Sequence, residues 1–313
     1  MKGLDIARAY WEQCGKPVLE AQFPDLMPLI AVGLTGAGSE CFDFDDDISR
    51  DHDFEPGFCV FLPGEDVVSR REAFLLERAY AKLPSEFIGL RRGLIPPAGG
   101  PRRGVLRTAA YFMEKVGASD GILTVGQWLS LPESALAEAV NGEIFHDGFG
   151  EVTRIREGLR CYPADILRKK LAGRMLLMSQ SGLYNYSRCL AHGETGAAQL
   201  AAIEFVDHAM AAVFLLNGVY RPFYKWRFRA LRRLPRLALL AELMEYLLTT
   251  PNDGELAAQK REVMEGMVQD IIVEAVARGL SKADSPIIEK HARSVNDGIA
   301  DPGLRNADLL TAV

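Results

Sequence analysis

The stretch Leu29-Ile30-Ala31-Val32-Gly33-Leu34-Thr35-Gly36-Ala37-Gly38-Ser39 joins an apolar run to a glycine-rich turn. The run is short, contains β-branched residues and is bounded by glycine, which predicts a buried strand. Glycine in the turn lets the backbone approach a ligand closely, and the serine adds a hydroxyl donor. A strand that leads into such a turn is the start of several phosphate-binding motifs, and the spacing decides among them.

Three familiar motifs do not fit this part of the chain. The glycine spacing matches a Walker A loop, but Ser39 and Glu40 stand where that loop needs lysine and a hydroxyl. Gly36 and Gly38 lack the third glycine of a dinucleotide-binding fingerprint. Residues 43–54 alternate acids like a calcium-binding loop, but they lack its central glycine and its final glutamate.

The chain continues from Ser39 to the acid-x-acid pattern Asp51-His52-Asp53. Because side chains alternate along a strand, both carboxylates would project from one face, about 7 Å apart along the chain. Such a pair is costly unless a hard cation neutralises it, and Mg²⁺ combines one or two carboxylates with substrate phosphate oxygens. We therefore predict Asp51 and Asp53 as metal ligands and catalytic residues, and Gly38 and Ser39 as phosphate-binding residues.

A Gly-Ser turn followed by an acid-x-acid strand resembles the hallmark of the DNA polymerase β-type nucleotidyltransferase superfamily. Residues 33–62, 141–151 and 214–231 are also similar to a bacterial family known only as a domain of unknown function within that superfamily. The chain is more distantly similar to the kanamycin and lincosamide nucleotidyltransferases. Those enzymes have a small α/β catalytic domain followed by a helical domain.

The resemblance implies a reaction and a set of ligands. Gly38 and Ser39 would hold the β- and γ-phosphates of a nucleoside triphosphate, with ATP as the first candidate, and Asp51 and Asp53 would hold Mg²⁺ or Mn²⁺. An acceptor hydroxyl would attack the α-phosphate in line, and pyrophosphate would leave. The acceptor stays open among a small molecule, a tRNA end and a protein side chain.

The superfamily usually adds a third acid on a neighbouring strand, but residues 104–108 contain none. We predict Asp147 as the further catalytic residue, with Glu143 as the alternative, because both would share one face if residues 141–147 are extended. Asp147 equally fits the start of an Asp-Gly turn. A catalytically inactive nucleotide-binding sensor therefore stays open as an alternative, as does an RNA- or protein-modifying transferase of the toxin type.

The pattern of apolar residues predicts two domains. Residues 1–148 are expected to form a nucleotidyltransferase-like α/β (α+β) domain with a small mixed sheet, and residues 149–313 an all-α nucleotide- and acceptor-binding domain. Within the first, residues 65–83 have helix composition. Residues 84–104, with four prolines and five glycines, predict a long loop.

Residues 220–236 contain seven basic residues and no acid. The spacing predicts that most of them lie near one face of a helix, where they could close over a triphosphate or contact an RNA backbone. A solvated basic face is equally consistent, and nucleic acid is not the favoured partner. Since the helical domain completes the nucleotide cleft in the resembling transferases, we predict Tyr220 and Lys225 as cofactor-binding residues.

Composition limits the remaining function classes. A net charge of −6 argues against a nucleic-acid binder that works through bulk positive charge. Five cysteines without a Cys-x-x-Cys pair favour neither a zinc ribbon nor a disulfide framework, so we expect a cytoplasmic protein. The apolar stretch 197–219 carries Glu204 and Asp207, which predicts a buried helix and no membrane partner.

Overall fold

The computed structural model of the chain describes residues 1–48, 55–92 and 103–313. Contacts among these residues form two compact units, which comprise 1–127 with 131–160, and 128–130 with 161–313. The predicted boundary after residue 148 differs from this division. The helix Glu151–Leu159 buries Val152, Ile155 and Leu159 and contacts the elements that precede it, so it belongs to the first unit.

The first unit contains a small mixed sheet with helices packed against it. The strands in chain order are β1 (Ala31–Leu34), β2 (Cys59–Leu62), β3 (Glu86–Phe87), β4 (Leu90–Arg91), β5 (Gly104–Arg107) and β6 (Glu143–Asp147). The helices up to residue 160 are α1 (Gly3–Tyr10), α2 (Lys16–Gln22), α3 (Arg70–Ala81), α4 (Thr108–Val116), α5 (Val125–Ser130), α6 (Glu133–Val140) and α7 (Glu151–Leu159). A sheet-containing first part was predicted, and this is confirmed.

The four-stranded sheet has the order β5-β2-β1-β6, and β3 pairs separately with β4. Strand β1 is antiparallel to both β2 and β6, whereas β2 is parallel to β5. The end of β1 and the starts of β2, β5 and β6 therefore meet at one end of the sheet, which we call the turn end. The opposite end, where β2, β5 and β6 finish, is the far end.

The predicted buried strand is confirmed as β1, and all four of its residues are buried. Its pairing places Val32 opposite Val60, and both side chains belong to an apolar core with Phe58 and Tyr10. Phe61 projects from the other face, because side chains alternate, and its ring lies 5.2 Å from that of Tyr111 on α4. Full burial of side chains of this size contributes roughly 1.5–3 kcal/mol each.

Helix α3 is shorter than the helix composition of residues 65–83 suggests. Ser69 adopts an extended conformation and its hydroxyl accepts a hydrogen bond from the backbone N–H of Glu72, while the Glu72 carboxylate accepts from the N–H of Ser69. This reciprocal capping box fixes the first turn at Arg70. The predicted loop at residues 84–104 contains the β3–β4 hairpin, and residues 93–102 lie outside the described ranges.

The second unit is helical, as predicted. Its helices are α8 (Ala164–Met178), α9 (Tyr186–Ala191), α10 (Thr195–Asn217), α11 (Arg227–Leu231), α12 (Leu240–Thr249), α13 (Gly254–Ala277), α14 (Ile288–Asp297) and α15 (Pro302–Asn306). Among the described residues, only α10 is long and apolar enough to cross a membrane. It packs against α8, α12 and α13 with most of its apolar side chains buried, so it is a core helix, as expected.

The basic segment 220–236 is not one helix, and the prediction of a single basic helix face was wrong. A short 3-10 turn covers Tyr224–Trp226, α11 ends at Leu231, and Leu237 has a positive φ of 59°. Pro222 and Pro235 explain the interruption, because proline cannot donate the backbone hydrogen bond of a helix interior.

Candidate functional site

The predicted metal ligands Asp51 and Asp53 lie outside the described residues. Gly38 and Ser39 are described, and they follow β1 directly at the turn end of the sheet. The register also brings the chain before β2 to this end, since Gly33 pairs with Cys59. The predicted phosphate-binding residues and the chain that enters β2 therefore lie at the same end of the sheet.

The turn after β1 requires glycine at two positions. Gly36 has a φ of 104° and Gly38 a φ of 132°, conformations that residues with a Cβ rarely adopt. Ser39 begins a short 3-10 turn, and its carbonyl accepts hydrogen bonds from the N–H groups of Phe42 (3.1 Å) and Phe44 (2.9 Å). Its hydroxyl makes no capping bond to that turn. The sequence thus specifies a glycine turn directly after β1, and Gly36 and Gly38 are both buried in it.

Asn141 fixes the backbone of this turn. Its Oδ1 accepts a hydrogen bond from the N–H of Gly36 (2.8 Å), and its Nδ2 donates to the carbonyl of Gly36 (2.8 Å). Arg156 supports Asn141 and the residue before Gly36. Its Nη1 donates to the hydroxyl of Thr35 (2.9 Å) and its Nη2 to the carbonyl of Asn141 (2.8 Å). Sequence reasoning missed both residues, and separations of 105 and 121 residues gave no local signal.

Buried charges lie next to the same turn. The side chains of Glu40 and Arg103 are 6% and 9% exposed, and Arg103 Nη2 is 3.1 Å from Glu40 Oε1. Arg103 Nη1 is 3.7 Å from Glu55 Oε1. The Glu40 carboxylate folds back over Gly38, where a Cβ would lie 2.5 Å from Oε2. Sequence reasoning missed this cluster as well, because Arg103 comes from an irregular stretch rich in arginine.

A second cation lies near the turn. Lys115 Nζ donates to Glu138 Oε2 (2.9 Å), and its side chain is 16% exposed. The Cε atom of Lys115 would lie 3.9 Å from a Cβ built at Gly36. Glu114 also lies within 3.5 Å of this ammonium, so two carboxylates share its charge. Lys115 is a further residue that the sequence motifs did not indicate.

The two candidates for a third acid lie at opposite ends of β6. Glu143 pairs with Leu34 at the turn end, whereas Asp147 pairs with Ala31, roughly 10 Å away along β1. The Asp147 carboxylate accepts hydrogen bonds from the N–H groups of Gly150 (2.8 Å) and Thr153 (2.7 Å). The structure does not bring Asp147 to the Gly38–Ser39 turn, and its geometry is that of a turn-forming residue.

Glu143 lies at the turn end of the sheet, on the same strand as Asp147. Its carboxylate forms an ion pair with Arg8, and its side chain is 37% exposed. The guanidinium of Arg8 also lies 5.2 Å from the ring centroid of Phe145. Of the two acids that the sequence offered, the register favours Glu143.

Cys41 and Cys59, which are buried near the turn end, are not suited to nucleophilic catalysis. Burial raises the pKa of the Cys59 thiol to about 12. Burial and the neighbouring Glu40 carboxylate also raise the pKa of Cys41 well above its ordinary value. Both groups therefore stay protonated near neutral pH and are poor nucleophiles.

The predicted cofactor-binding residues of the helical part belong to the second unit. Tyr220 is buried, and its ring packs edge-on against Tyr162 with centroids 4.9 Å apart. Lys225 places its ammonium group 4.6 Å from the ring centroid of Trp226. These contacts are the ordinary packing of aromatic and cationic side chains, and a role in nucleotide binding stays a prediction for both residues.

Acidic partners neutralise much of the basic segment. Arg221 and Arg227 both donate to Asp207 Oδ1 at 2.9 Å. Arg232 pairs with Glu242 and Glu245 on α12, and Arg236 pairs with Glu274 on α13. Although burial acts to raise it, the guanidinium groups around Asp207 hold the pKa of that carboxyl below its ordinary value. The segment is therefore not a continuous positive face for nucleic acid.

Within residues 1–48, 55–92 and 103–313, no cluster of three or more His, Cys, Asp or Glu side chains could hold a metal ion. Since Asp51 and Asp53 lie in the first gap between these ranges, the predicted metal site stays a prediction. The described part of the turn end offers a glycine turn, buried ion pairs and a nearby lysine. Binding of an anionic group at this turn stays a prediction.

Family comparison concerns a different part of the chain. A family model described as a domain of unknown function (DUF4037) matches residues 128–227, which is less than half of the chain. The matched range includes Asp147, Tyr220 and Lys225 but not the Gly38–Ser39 turn. Comparisons with curated proteins and with solved structures gave no match. Residues 128–227 are thus similar to a family whose description assigns no activity.

Proposed function

We propose that the protein is a metal-dependent nucleotidyltransferase that moves a nucleoside monophosphate from a nucleoside triphosphate to an acceptor hydroxyl. The observation that carries the proposal is the turn end of the sheet. There the Gly36–Ser39 turn leaves β1, the segment that follows the acid pair enters β2, and Arg103 enters β5. A glycine turn at the sheet end where the chain after the acid pair enters β2 suits a site for a metal-bound triphosphate.

Each group has a distinct task in this proposal. The backbone of Gly38 and the hydroxyl and N–H of Ser39 would donate to phosphate oxygens, and Lys115 would add positive charge beside them. Asp51 and Asp53 would hold Mg²⁺ or Mn²⁺, whose bound charge would stabilise the phosphate oxygens and the leaving pyrophosphate. Carboxylates are the hard oxygen ligands that these ions prefer.

The acceptor hydroxyl needs a group that takes its proton. Of the two candidate acids on β6, Glu143 lies at the turn end, so we assign it this role in preference to Asp147. The acceptor belongs to the class of small molecules, tRNA ends or protein side chains with a free hydroxyl. ATP is the first nucleotide to test.

A second candidate function is a nucleotide-binding sensor without transferase activity. It is favoured by the position of Asp147, whose carboxylate is used in the turn before α7 at the far end of the sheet. A sensor would bind a metal-nucleotide complex through the same turn but would have no acid in place to activate an acceptor.

The decisive experiment uses each nucleoside triphosphate labelled at the α-phosphate, with Mg²⁺ or Mn²⁺ and a bacterial cell extract as the acceptor source. We expect the wild-type protein to transfer label to an acceptor and to release unlabelled pyrophosphate, and Asp51→Ala/Asp53→Ala to do neither. Asp25→Ala, which removes an exposed acid, serves as the matched control. Equal labelling by the double variant would refute the proposal, and binding without transfer would favour the sensor.

A further inference from the structure

Helices α2 and α3 of the first unit leave a groove between them. Its volume is about 400 Å³, which is within the size range of pockets that hold small molecules. The apolar side chains that line it include Val18, Phe23, Leu75 and Leu83. None of the residues that line the groove has a role in the proposed transfer of a nucleotide, so a ligand bound there would be independent of that function.

The floor of the groove is the outer edge of the apolar core. Leu83 is 4% exposed and belongs to the same core cluster as Tyr10 and Phe58. Val18 and Phe23 are partly buried against this cluster. Because protein cores are closely packed, these contacts hold the floor of the groove in place without a ligand.

Helix α3 leaves apolar side chains exposed beside this floor. Leu75 lines the groove and is 44% exposed, and the neighbouring Phe74 is 55% exposed. The helical spacing places Leu75, Arg78 and Lys82 on one face of α3, since residues three and four apart are neighbours on a helix surface. The groove therefore combines an apolar wall with charged side chains on the same helix face.

The two charged side chains that line the groove are both cations. They are Arg78 and Lys82, and no acid of the described ranges lines the groove. Neither cation forms an ion pair with a described residue, whereas Arg70 on the same helix pairs with Glu65 at 2.7 Å. The guanidinium of Arg78 instead lies 5.9 Å from the ring centroid of Phe74. Two cations beside an apolar cavity create a positive potential that attracts an anionic head group.

From these observations we infer that the groove between α2 and α3 binds a small amphipathic anion, a carboxylate attached to an acyl chain. The chain would displace water from Leu75, Val18 and Phe23, which is favourable for apolar surface. The carboxylate would accept charge-assisted hydrogen bonds from Arg78 and Lys82. A ligand with a cationic head group would lose these hydrogen bonds and meet repulsion from the same two side chains.

Isothermal titration calorimetry of the full chain with sodium decanoate tests this inference. We expect decanoate to bind about 10-fold more tightly than octanoate, because burial of two further methylene groups accounts for a factor of this size. Decyltrimethylammonium has a comparable chain and a cationic head group. We expect it to bind at least about 10-fold more weakly than decanoate, because its charge has the wrong sign.

Variants of exposed residues assign the binding to the groove. Arg78→Gln/Lys82→Gln removes both cations, and we expect it to weaken decanoate binding by about 10-fold or more, as the loss of charge-assisted hydrogen bonds does. Leu75→Gln replaces the exposed part of the apolar wall, and we expect a loss of about fivefold. All three positions are exposed, so both variants should fold, and circular dichroism verifies this.

Matched controls remove the same kinds of side chain outside the groove. Lys16→Gln/Arg70→Gln removes two exposed cations of the first unit, which pair with Glu20 and Glu65. Ile122→Gln removes an apolar side chain that is 70% exposed in the same unit. We expect both controls to bind decanoate as the wild type does.

The outcomes divide clearly. Loss of decanoate binding in the groove variants, with unchanged binding in the controls, would support the inference. It would be overturned if the wild type did not bind decanoate, if both groove variants bound it unchanged, or if decyltrimethylammonium bound equally well. Light scattering covers the remaining occupant: a dimer that Leu75→Gln dissociates, without decanoate binding, would assign the groove to a second copy of the chain and overturn the inference as well.

Discussion

The two ends of one small sheet use polar side chains in different ways. At the far end, Asp147 accepts from the backbone of Gly150 and Thr153, and Arg107 donates to the carbonyls of Pro63 (2.7 Å) and Val68 (2.8 Å). At the turn end, the turn after β1 adopts positive φ angles at Gly36 and Gly38, and ionised side chains pair with one another beside it.

This difference separates polar side chains that stabilise a loop from polar groups that the proposed function assigns to a ligand. A side chain whose polar atoms bind loop backbone closes that loop and has little capacity left for a ligand. The glycine turn differs, because its backbone N–H groups and the charges beside it are the groups that the proposed function assigns to an anion. We therefore expect substitutions at the turn end to change binding and those at the far end to change stability.

Substitution of Gly38 gives the sharpest test of the comparison. Gly38→Val forces a β-branched residue into a φ of 132° and displaces the Glu40 carboxylate. We expect the free energy of unfolding to fall by roughly 1–3 kcal/mol, and the affinity for a fluorescent, non-hydrolysable ATP analogue to fall by about 10-fold or more, as disruption of a supporting shell typically does. Denaturant unfolding and fluorescence titration measure the two quantities.

The matched control lies at the far end. Gly150 also has a positive φ, 75°, but a Cβ there would meet nothing within 4 Å. Gly150→Val should therefore destabilise the protein through backbone strain and leave analogue binding unchanged. If both variants lost affinity to the same extent, the two ends of the sheet would not differ in function.

The two hydrogen bonds between Asn141 and the backbone of Gly36 provide the next test. Asn141→Ala removes both hydrogen bonds to Gly36, and these backbone groups lie in a part-buried position. We expect a loss of about 1–3 kcal/mol in the free energy of unfolding, the usual cost of leaving buried polar groups unsatisfied, together with weaker analogue binding. Calorimetry measures the change in stability.

Asn141→Asp distinguishes the hydrogen bond that Asn141 accepts from Gly36 from the one that it donates to Gly36. The aspartate keeps an acceptor for the N–H of Gly36 but loses the donor to its carbonyl and places a negative charge there. We expect this variant to bind the triphosphate analogue more weakly than Asn141→Ala, because the added charge repels phosphate. Stronger binding by Asn141→Asp would show that no anion approaches this turn.

The elements of the fold could largely be predicted, because apolar spacing and capping are local signals. The strand at residues 31–34 and the helix Thr195–Asn217 follow directly from such patterns. The prediction of one basic helix face at residues 220–236 was wrong, because helical spacing was considered without Pro222 and Pro235. The acids that pair with its arginines come from α10, α12 and α13 and lie 10 to 38 residues away in sequence, outside the segment itself.

The candidate site was less accessible to sequence reasoning. Gly38 and Ser39 could be found because a glycine turn after a strand is a local motif. Arg103 and Asn141 act on residues 63 and 105 positions away, and neither belongs to a motif. Asp147 remained ambiguous, because an acid before glycine suits both a strand end and a turn, and only the strand register separates these alternatives.

Asp147 itself provides a test with a smaller expected effect. Asp147→Ala removes two hydrogen bonds to backbone N–H groups, and we expect a loss of roughly 0.5–2 kcal/mol in the free energy of unfolding, as for a lost cap. Transfer of labelled nucleotide should stay within about twofold of the wild type, since a structural residue outside the site leaves the transition state unchanged.

Glu143→Gln completes that test. If Glu143 takes the acceptor's proton, this variant should lose about 100-fold or more of the transfer rate, in line with general-base catalysis, while it keeps its affinity for the ATP analogue. The opposite pattern, with transfer lost in Asp147→Ala and retained in Glu143→Gln, would assign the catalytic acid to the far end and contradict the division proposed above.

The smallest effect is expected at Tyr111, whose hydroxyl lies 3.4 Å from Thr35 Oγ1 and 3.3 Å from the carbonyl of Glu138. Burial raises the pKa of this phenol above its ordinary value, so it stays protonated. Both hydrogen bonds are long, and Arg156 continues to support Thr35 at 2.9 Å when the hydroxyl is removed. Tyr111→Phe should therefore lower the free energy of unfolding by less than about 1 kcal/mol.

The affinity of Tyr111→Phe for the ATP analogue tests whether Tyr111 contacts the ligand. Tyr111 is packed beside Gly36, and the proposed function assigns it no contact with a ligand. Its ring keeps its edge-on packing against Phe61 in the variant, so the sheet and the turn should retain their geometry. Unchanged affinity would limit the site to the backbone of the turn and the charges around it. A tenfold loss of affinity without a loss of stability would instead place the Tyr111 hydroxyl against the nucleotide, on the same helix α4 that carries Lys115.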